Sequence, residues 1–220
     1  MEKWLFDIRS RTFFLLALAF LILAYLAYAK VTVTADGNFE NYMQKISGNT
    51  TLDLLMQSFT ELGWVLYPIF VAIVLFIIKK TRRLGLTLLL ALLVGTMSAA
   101  YMTCYIGYEK PDLQFMGAHL PFKSGTDVSV PCAIKGTFPA GYTVRATIFA
   151  FVISYALSGR FPRGCYLVWL YPIAISISRL YLLQEYPTTV IAGVIYGILI
   201  ADIVGKILKI ELIFDKSKAQ

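Results

Sequence analysis

Ser178-Arg179-Leu180-Tyr181-Leu182-Leu183-Gln184-Glu185-Tyr186-Pro187-Thr188-Thr189 joins two apolar runs, residues 165–183 and 190–208. Each run is about as long as a membrane crossing, which takes roughly 17–25 residues. The junction sets an arginine at the end of one run and a glutamate just before the next. Ionised groups at such a place are costly and by default mark a functional site.

The rest of the chain has the same character. Of 220 residues, 58% are hydrophobic and 15% charged, with a mean hydropathy of +0.70. A soluble domain is nearer half apolar and a quarter charged, so the composition predicts an all-α integral membrane protein. Six spans are expected, at about 12–29, 63–78, 84–105, 139–157, 165–183 and 190–208. One membrane-embedded domain over residues 1–220 accounts for the length, with no linker to a second.

The formal charge of +7 lies mostly in short clusters between the runs, such as Lys79-Lys80-Thr81-Arg82-Arg83 and the Arg160–Arg163 turn. That pattern sets topology and excludes a nucleic-acid footprint. It places both termini in the cytoplasm and the connections 30–62, 106–138 and 184–189 outside. Ala27-Tyr28-Ala29 resembles a signal-peptidase site, but the length of the first run and the even span count favour an uncleaved helix. Three cysteines and one histidine rule out a clustered zinc or iron–sulfur site, so no metal and no cofactor is expected.

Two outer segments carry further signals. Residues 30–51 are polar, with Asp36-Gly37-Asn38 as a turn and Asn49-Thr50-Thr51 as a glycosylation pattern. From Leu52 to Gly63, Leu52, Leu55, Met56, Phe59 and Leu62 recur at helical spacing, which predicts an amphipathic helix for the membrane surface before span two. The segment 106–138 is the longest polar stretch and a candidate binding loop or lid. It holds His119 and is bracketed by Cys104 and Cys132, which either pair in an oxidising space or are unrelated.

This topology brings three stretches to the outer side: Tyr108–Pro111, Pro139–Thr143 and Ser178–Thr189. Arg145 follows Tyr142 by one helical turn, and Pro139 suits a first helical turn. Lys110, Arg145, Arg179 and the helix start form a candidate phosphate site. In the last run, Gly193 and Gly197 form a G-x-x-x-G pair, read as packing between spans rather than dimerisation. Asp202 and Lys206 are spaced to pair.

The layout resembles the type 2 phosphatidic acid phosphatase superfamily of membrane lipid phosphatases, whose motifs run K-x6-R-P, P-S-G-H and S-R-x5-H-x3-D. Here the third reads Ser178-Arg179, five residues, Glu185, three residues, Thr189; the second reads Pro139-Ala140-Gly141-Tyr142. For the first there is Lys110-Pro111, with Thr103 where the leading lysine would stand. The resemblance implies an outward-facing lipid phosphate pocket. It assigns Lys110, Gly141, Arg145, Ser178 and Arg179 to phosphate binding, Glu185 to the nucleophile position, Tyr142 to the acid position and Thr189 to the orienting position. In the family these three are histidine, histidine and aspartate.

The substitutions fall on the reacting groups. Imidazole is both a good nucleophile and a good acid near neutrality, whereas a tyrosine of ordinary pKa near 10 is a poorly matched acid and threonine carries no charge. The leading expectation is therefore a catalytically impaired or non-catalytic protein that binds a membrane lipid, polyprenyl phosphate or diphosphate or phosphatidic acid. The alternatives are a phosphatase using Glu185, since carboxylates do attack phosphorus, and a small transporter or assembly scaffold. A purely structural use is also open, in which Arg179 or Arg145 pairs with Glu185. Neither the lipid nor the oligomeric state is legible.

Overall fold

A computed structural model describes residues 5–111, 136–159 and 161–210. Among these residues it has eight α-helices and one 3-10 helix: α1 (Arg11–Tyr28), α2 (Val33–Ile46), α3 (Thr50–Leu62), α4 (Leu66–Ile77), α5 (Arg82–Ile106), α6 (Gly141–Ser158), the 3-10 turn Gly164–Trp169, α7 (Leu170–Tyr181) and α8 (Pro187–Ile207). The expected all-α class holds, with a single β-bridge, Glu109 to Gly136, among the described residues.

The bundle is built around α6. Its residues Tyr142–Ile148 and Ala150–Val152 are all buried, the polar Thr143, Arg145 and Thr147 among them. It packs against α5, α7, α8 and the 3-10 turn. The contact with α8 is close because of the glycine pair: a Cβ on Gly193 would sit 2.9 Å from Ala140 O, and one on Gly197 2.9 Å from Val144 O. The G-x-x-x-G pattern therefore serves packing inside the chain. At the other end of α8, Asp202 pairs with Lys206 at 3.2 Å and accepts from Phe6 N–H at 2.6 Å, which anchors the N-terminal segment. Helix α1 leans on α8 through Phe20, stacked on Tyr196 at 4.9 Å, and leaves Phe14, Leu15, Leu21 and Tyr25 exposed. Contiguous apolar surface of this kind is what hydrocarbon covers.

Among the described residues four helices are long and apolar enough to cross a membrane, α1, α5, α6 and α8; α3 and α4, bent by 41°, form a candidate fifth. The expected fifth span instead divides into the 3-10 turn and α7. Pro172 lies in the first turn of α7, where a missing N–H costs nothing. Pro139, expected in the first turn of the helix over 139–157, precedes α6: the N-cap is Ala140, and the Phe138–Pro139 peptide is cis.

Two segments expected outside differ in structure from expectation. The turn expected at Asp36-Gly37-Asn38 is helical and lies within α2. Tertiary contacts explain this, since Asp36 is an acid in a first turn, favoured by the helix dipole, and is held by side chains from elsewhere. Helix α3 forms as expected, capped by Asn49, whose Oδ1 accepts from Thr51 N–H and Leu52 N–H. Its polar stripe faces inward. Asp53, Gln57 and Thr60 are buried, while Leu54, Leu55 and Leu62 are exposed. The helix thus turns its apolar face away from the bundle. Cys104 is disulfide-bonded and Cys165 is free and buried. Cys132, His119 and most of the expected binding loop lie outside the described residues.

Candidate anion-binding site

The end of α7 builds the site. Leu183 adopts a left-handed conformation, φ 52°, its N–H donates to Leu180 O at 3.2 Å, and Gln184 N–H donates to Arg179 O at 3.0 Å. This is the Schellman pattern of a helix C-terminus, usually built on glycine. A leucine there costs about 1–2 kcal/mol of backbone strain, opposed by burial of its side chain, which is 1% exposed. The turn folds Gln184 and Glu185 back over the last turn of α7. Arg179 Nη1 consequently donates to Gln184 Oε1, and Nη2 pairs with Glu185 Oε1 at 3.2 Å.

Helix α8 starts at Pro187, whose missing N–H is tolerated in that position. The Thr189 hydroxyl accepts from Tyr186 N–H at 3.2 Å. It also stands 2.8 Å from Tyr186 O and 3.3 Å from Glu185 Oε2, two acceptors for its one proton. Thr189 therefore caps a helix and touches the carboxylate, but brings it no charge. Glu185 is 4% exposed. Burial pushes its carboxyl above the ordinary range, against the opposing pull of Arg179 and Lys110.

From α6, Tyr142 and Arg145 face the same place. The Arg145 guanidinium lies 4.7 Å from the centroid of the Tyr142 ring and that of Arg179 4.1 Å. One ring thus supports two cations that would otherwise repel, a use of the ring's negative face. Both arginines are buried, at 3% and 7% exposure. A Cβ on Gly141 would meet only Arg145 Nη1, at 3.6 Å, so the missing side chain leaves the guanidinium approachable. Lys110 is brought in by Gly107, which ends α5 at φ 60°. Thr137 N–H then donates to Tyr108 O, and Ala140 N–H to Thr189 O at 3.1 Å, tying together the stretches around Tyr108, Ala140 and Thr189.

Of the residues expected from sequence, Tyr142, Arg145, Arg179, Glu185 and Thr189 come together, with Gly141 beside Arg145 and Lys110 close enough to act on Glu185. Ser178 faces α3: its hydroxyl donates to Ile175 O at 2.8 Å and is 2.9 Å from the Thr60 hydroxyl. Thr103, at the place of a leading lysine, lies 3.0 Å from Phe138 O and 2.9 Å from Ala99 O. Sequence reasoning missed Gln184, which lies within the opening stretch itself, and Asp36. The Asp36 carboxylate is 2% exposed and accepts from Tyr108 OH at 2.6 Å and from Thr188 Oγ1 at 3.1 Å. Burial and that carboxylate push the Tyr108 hydroxyl up, which keeps it a donor. Among the described residues no cluster of His, Cys, Asp and Glu is arranged to hold a metal ion.

A helical bundle with an apolar exterior and a buried cationic pocket at the ends of its helices defines a membrane protein with a candidate anion site. The model of the PAP2 superfamily matches residues 80–209, more than half of the 220, and the chain belongs to that superfamily. The fold is similar to that of a transmembrane PAP2-type phosphatidylglycerolphosphate phosphatase from Bacillus subtilis, with a TM-score of 0.69 and 23% identity over 87% of this chain and 93% of that one. At that identity the likeness shows the fold. No curated protein sequence matches the chain.

Proposed function

We propose that this protein binds a lipid phosphate or diphosphate in the Lys110, Arg145 and Arg179 pocket without hydrolysing it. One observation carries the reading: Glu185, at the nucleophile position, is ion-paired with Arg179, the cation that would meet the phosphate. A carboxylate so held must leave its partner before it can attack phosphorus. Thr189 is neutral, and Tyr142 contributes a ring face beneath two guanidinium groups. Three cations against one carboxylate still leave the pocket net positive, which suits an anionic head group. Polyprenyl phosphate, polyprenyl diphosphate and phosphatidic acid carry that chemistry.

The same reading includes six crossings, both termini cytoplasmic and the pocket on the outer side. The 3-10 turn of 6 residues and α7 of 12 rise about 12 Å and about 18 Å, together near the roughly 30 Å of a hydrocarbon core. Helix α4, also 12 residues, needs α3 to reach that length.

A second reading, hydrolysis with Glu185 as nucleophile, draws on the placement of that carboxylate beside Arg179 and Lys110. Phosphate release from polyprenyl diphosphate, polyprenyl phosphate and phosphatidic acid by the purified protein decides between them. No release, with thermal stabilisation by pyrophosphate that Arg179→Ala abolishes, is expected. Release abolished by Glu185→Gln would establish hydrolysis. Neither release nor stabilisation would leave a scaffold or transporter.

A further inference from the structure

We infer that Glu185 is a built-in competitor for the pocket, so that the site selects anions of charge two or more and admits singly charged ones poorly. This rests on the binding reading above and adds what the pocket discriminates.

Both terminal nitrogens of Arg179 are engaged before any ligand arrives, while its Nε is buried without a hydrogen-bond partner among the described residues. One of its nitrogens donates to Gln184 Oε1 and another pairs with Glu185 Oε1 at 3.2 Å. An incoming anion therefore exchanges with a carboxylate rather than filling a vacancy. A ligand with one negative charge that takes Arg179 replaces one ion pair by another and leaves Glu185 buried without its partner. Little is gained, because a buried charge deprived of its partner is costly. A ligand with two charges engages Arg179 and still has charge to share with Arg145 and Lys110.

The surroundings allow this exchange on one side and resist it on the others. Facing Glu185 are Arg179 from α7, Lys110 from the segment after α5, and Thr189 from α8. Arg145 and Tyr142 of α6 reach the same cluster through the shared ring contact. From α2, Asp36 and Glu40 hold Thr188 and Tyr186; from α3, Asp53 holds Tyr181, and Glu61 is partly buried. Among the described residues none of these acidic groups hydrogen-bonds Arg179, and a Glu185 displaced from Arg179 keeps the weaker pull of Lys110. Protonation offsets what Glu185 loses with Arg179, so exchange is easier at lower pH. Burial, which already favours the protonated form, acts in the same direction.

The test uses probes whose own charge does not change between pH 5 and 8: sulfate with two charges and methyl sulfate with one. Binding to the full-length protein in a neutral detergent is read from the shift of thermal unfolding with ligand concentration. The wild type is expected to bind sulfate at least about tenfold more tightly than methyl sulfate, about 1.4 kcal/mol, with affinity rising as pH falls. In Glu185→Gln, which keeps hydrogen-bonding atoms in place, both probes bind more tightly, methyl sulfate gains most, and the pH dependence disappears. Binding by the wild type with an unchanged or weaker Glu185→Gln overturns the competitor role and leaves the binding reading intact. Binding of neither probe to either protein overturns both. Should Glu185→Gln not fold, the wild type alone decides: equal affinity for the two probes, or a flat pH profile, refutes the inference.

Discussion

Arg179→Ala removes the guanidinium and leaves Glu185, 4% exposed, with the Thr189 hydroxyl and the more distant Lys110. Breaking a buried pair from one side costs about 3–5 kcal/mol. For a chain of this size each kcal/mol moves the unfolding midpoint by about 2–4 °C, so a fall of roughly 6–20 °C is expected in neutral detergent at pH 8. The sign of the pH dependence follows from Glu185. Its folded pKa is raised, so its stabilising contribution is fully present below the unfolded value and is lost as pH rises through the folded one. Losing Arg179 raises that pKa further, so the deficit should be largest at pH 8 and shrink as pH falls. A double variant, Arg179→Met with Glu185→Leu, removes both charges at similar volume. It should lie within about 1–2 kcal/mol of the wild type, since apolar replacement of a buried pair is often neutral. Thermal unfolding of the two variants across pH 5–8 is the assay. A deficit in Arg179→Ala that is independent of pH, or no larger than that of the double variant, would refute the assignment of the pair as buried and coupled.

Three further outcomes are expected from other parts of the bundle. Gly197→Ala places a Cβ 2.8 Å from Thr147 Cβ and 2.9 Å from Val144 O, so it should destabilise by about 1–3 kcal/mol through overpacking. Gly37→Ala meets nothing within 4 Å inside α2 and should stabilise by about 0.5–1 kcal/mol; the two melting curves should therefore move in opposite directions. Asp36→Ala strips the acceptor from Tyr108 and Thr188. It should cost about 1–3 kcal/mol, with weakened stabilisation by pyrophosphate because the Lys110 and Glu185 segments are no longer tied together. Asp36→Asn should restore part of that stabilisation.

Legibility of the sequence varied with the range of the signal. The long helices α1, α5, α6 and α8 were read from apolar run length alone, and their observed bounds differ from the expected ones by a few residues. The amphipathic period of α3 was also visible, but which face turns inward was not. That depends on Tyr181 and Ser178 offering partners to Asp53 and Thr60, contacts more than 100 residues apart in sequence. Asp36-Gly37-Asn38 read as a turn because local propensity favours one; contacts from Tyr108 and Thr188 outweigh it. The Schellman turn was hidden for a related reason, as leucine stands where glycine would have announced it. Tyr142, Arg145, Arg179, Glu185 and Thr189 converge in space, whereas Ser178 turns to α3. The role of Gln184 needed the backbone reversal at Leu183, which no periodicity reveals.

The cations and the carboxylate of the pocket have to be considered together, because the bundle must fold before it binds. Arg145 and Arg179 are both almost fully buried beside apolar helices, and an uncompensated guanidinium there would oppose folding. Two devices offset it within the chain. The Tyr142 ring lies under both cations, and Glu185 neutralises Arg179. With histidine at the nucleophile position, a neutral imidazole would leave that compensation to the substrate; with glutamate, one of the cations is already neutralised in the empty site. Stability of the empty protein and affinity for an anion are therefore opposed through one residue. Glu185→Gln is expected to lower the first and raise the second, and a variant in which both moved the same way would show that Glu185 and the ligand do not share Arg179.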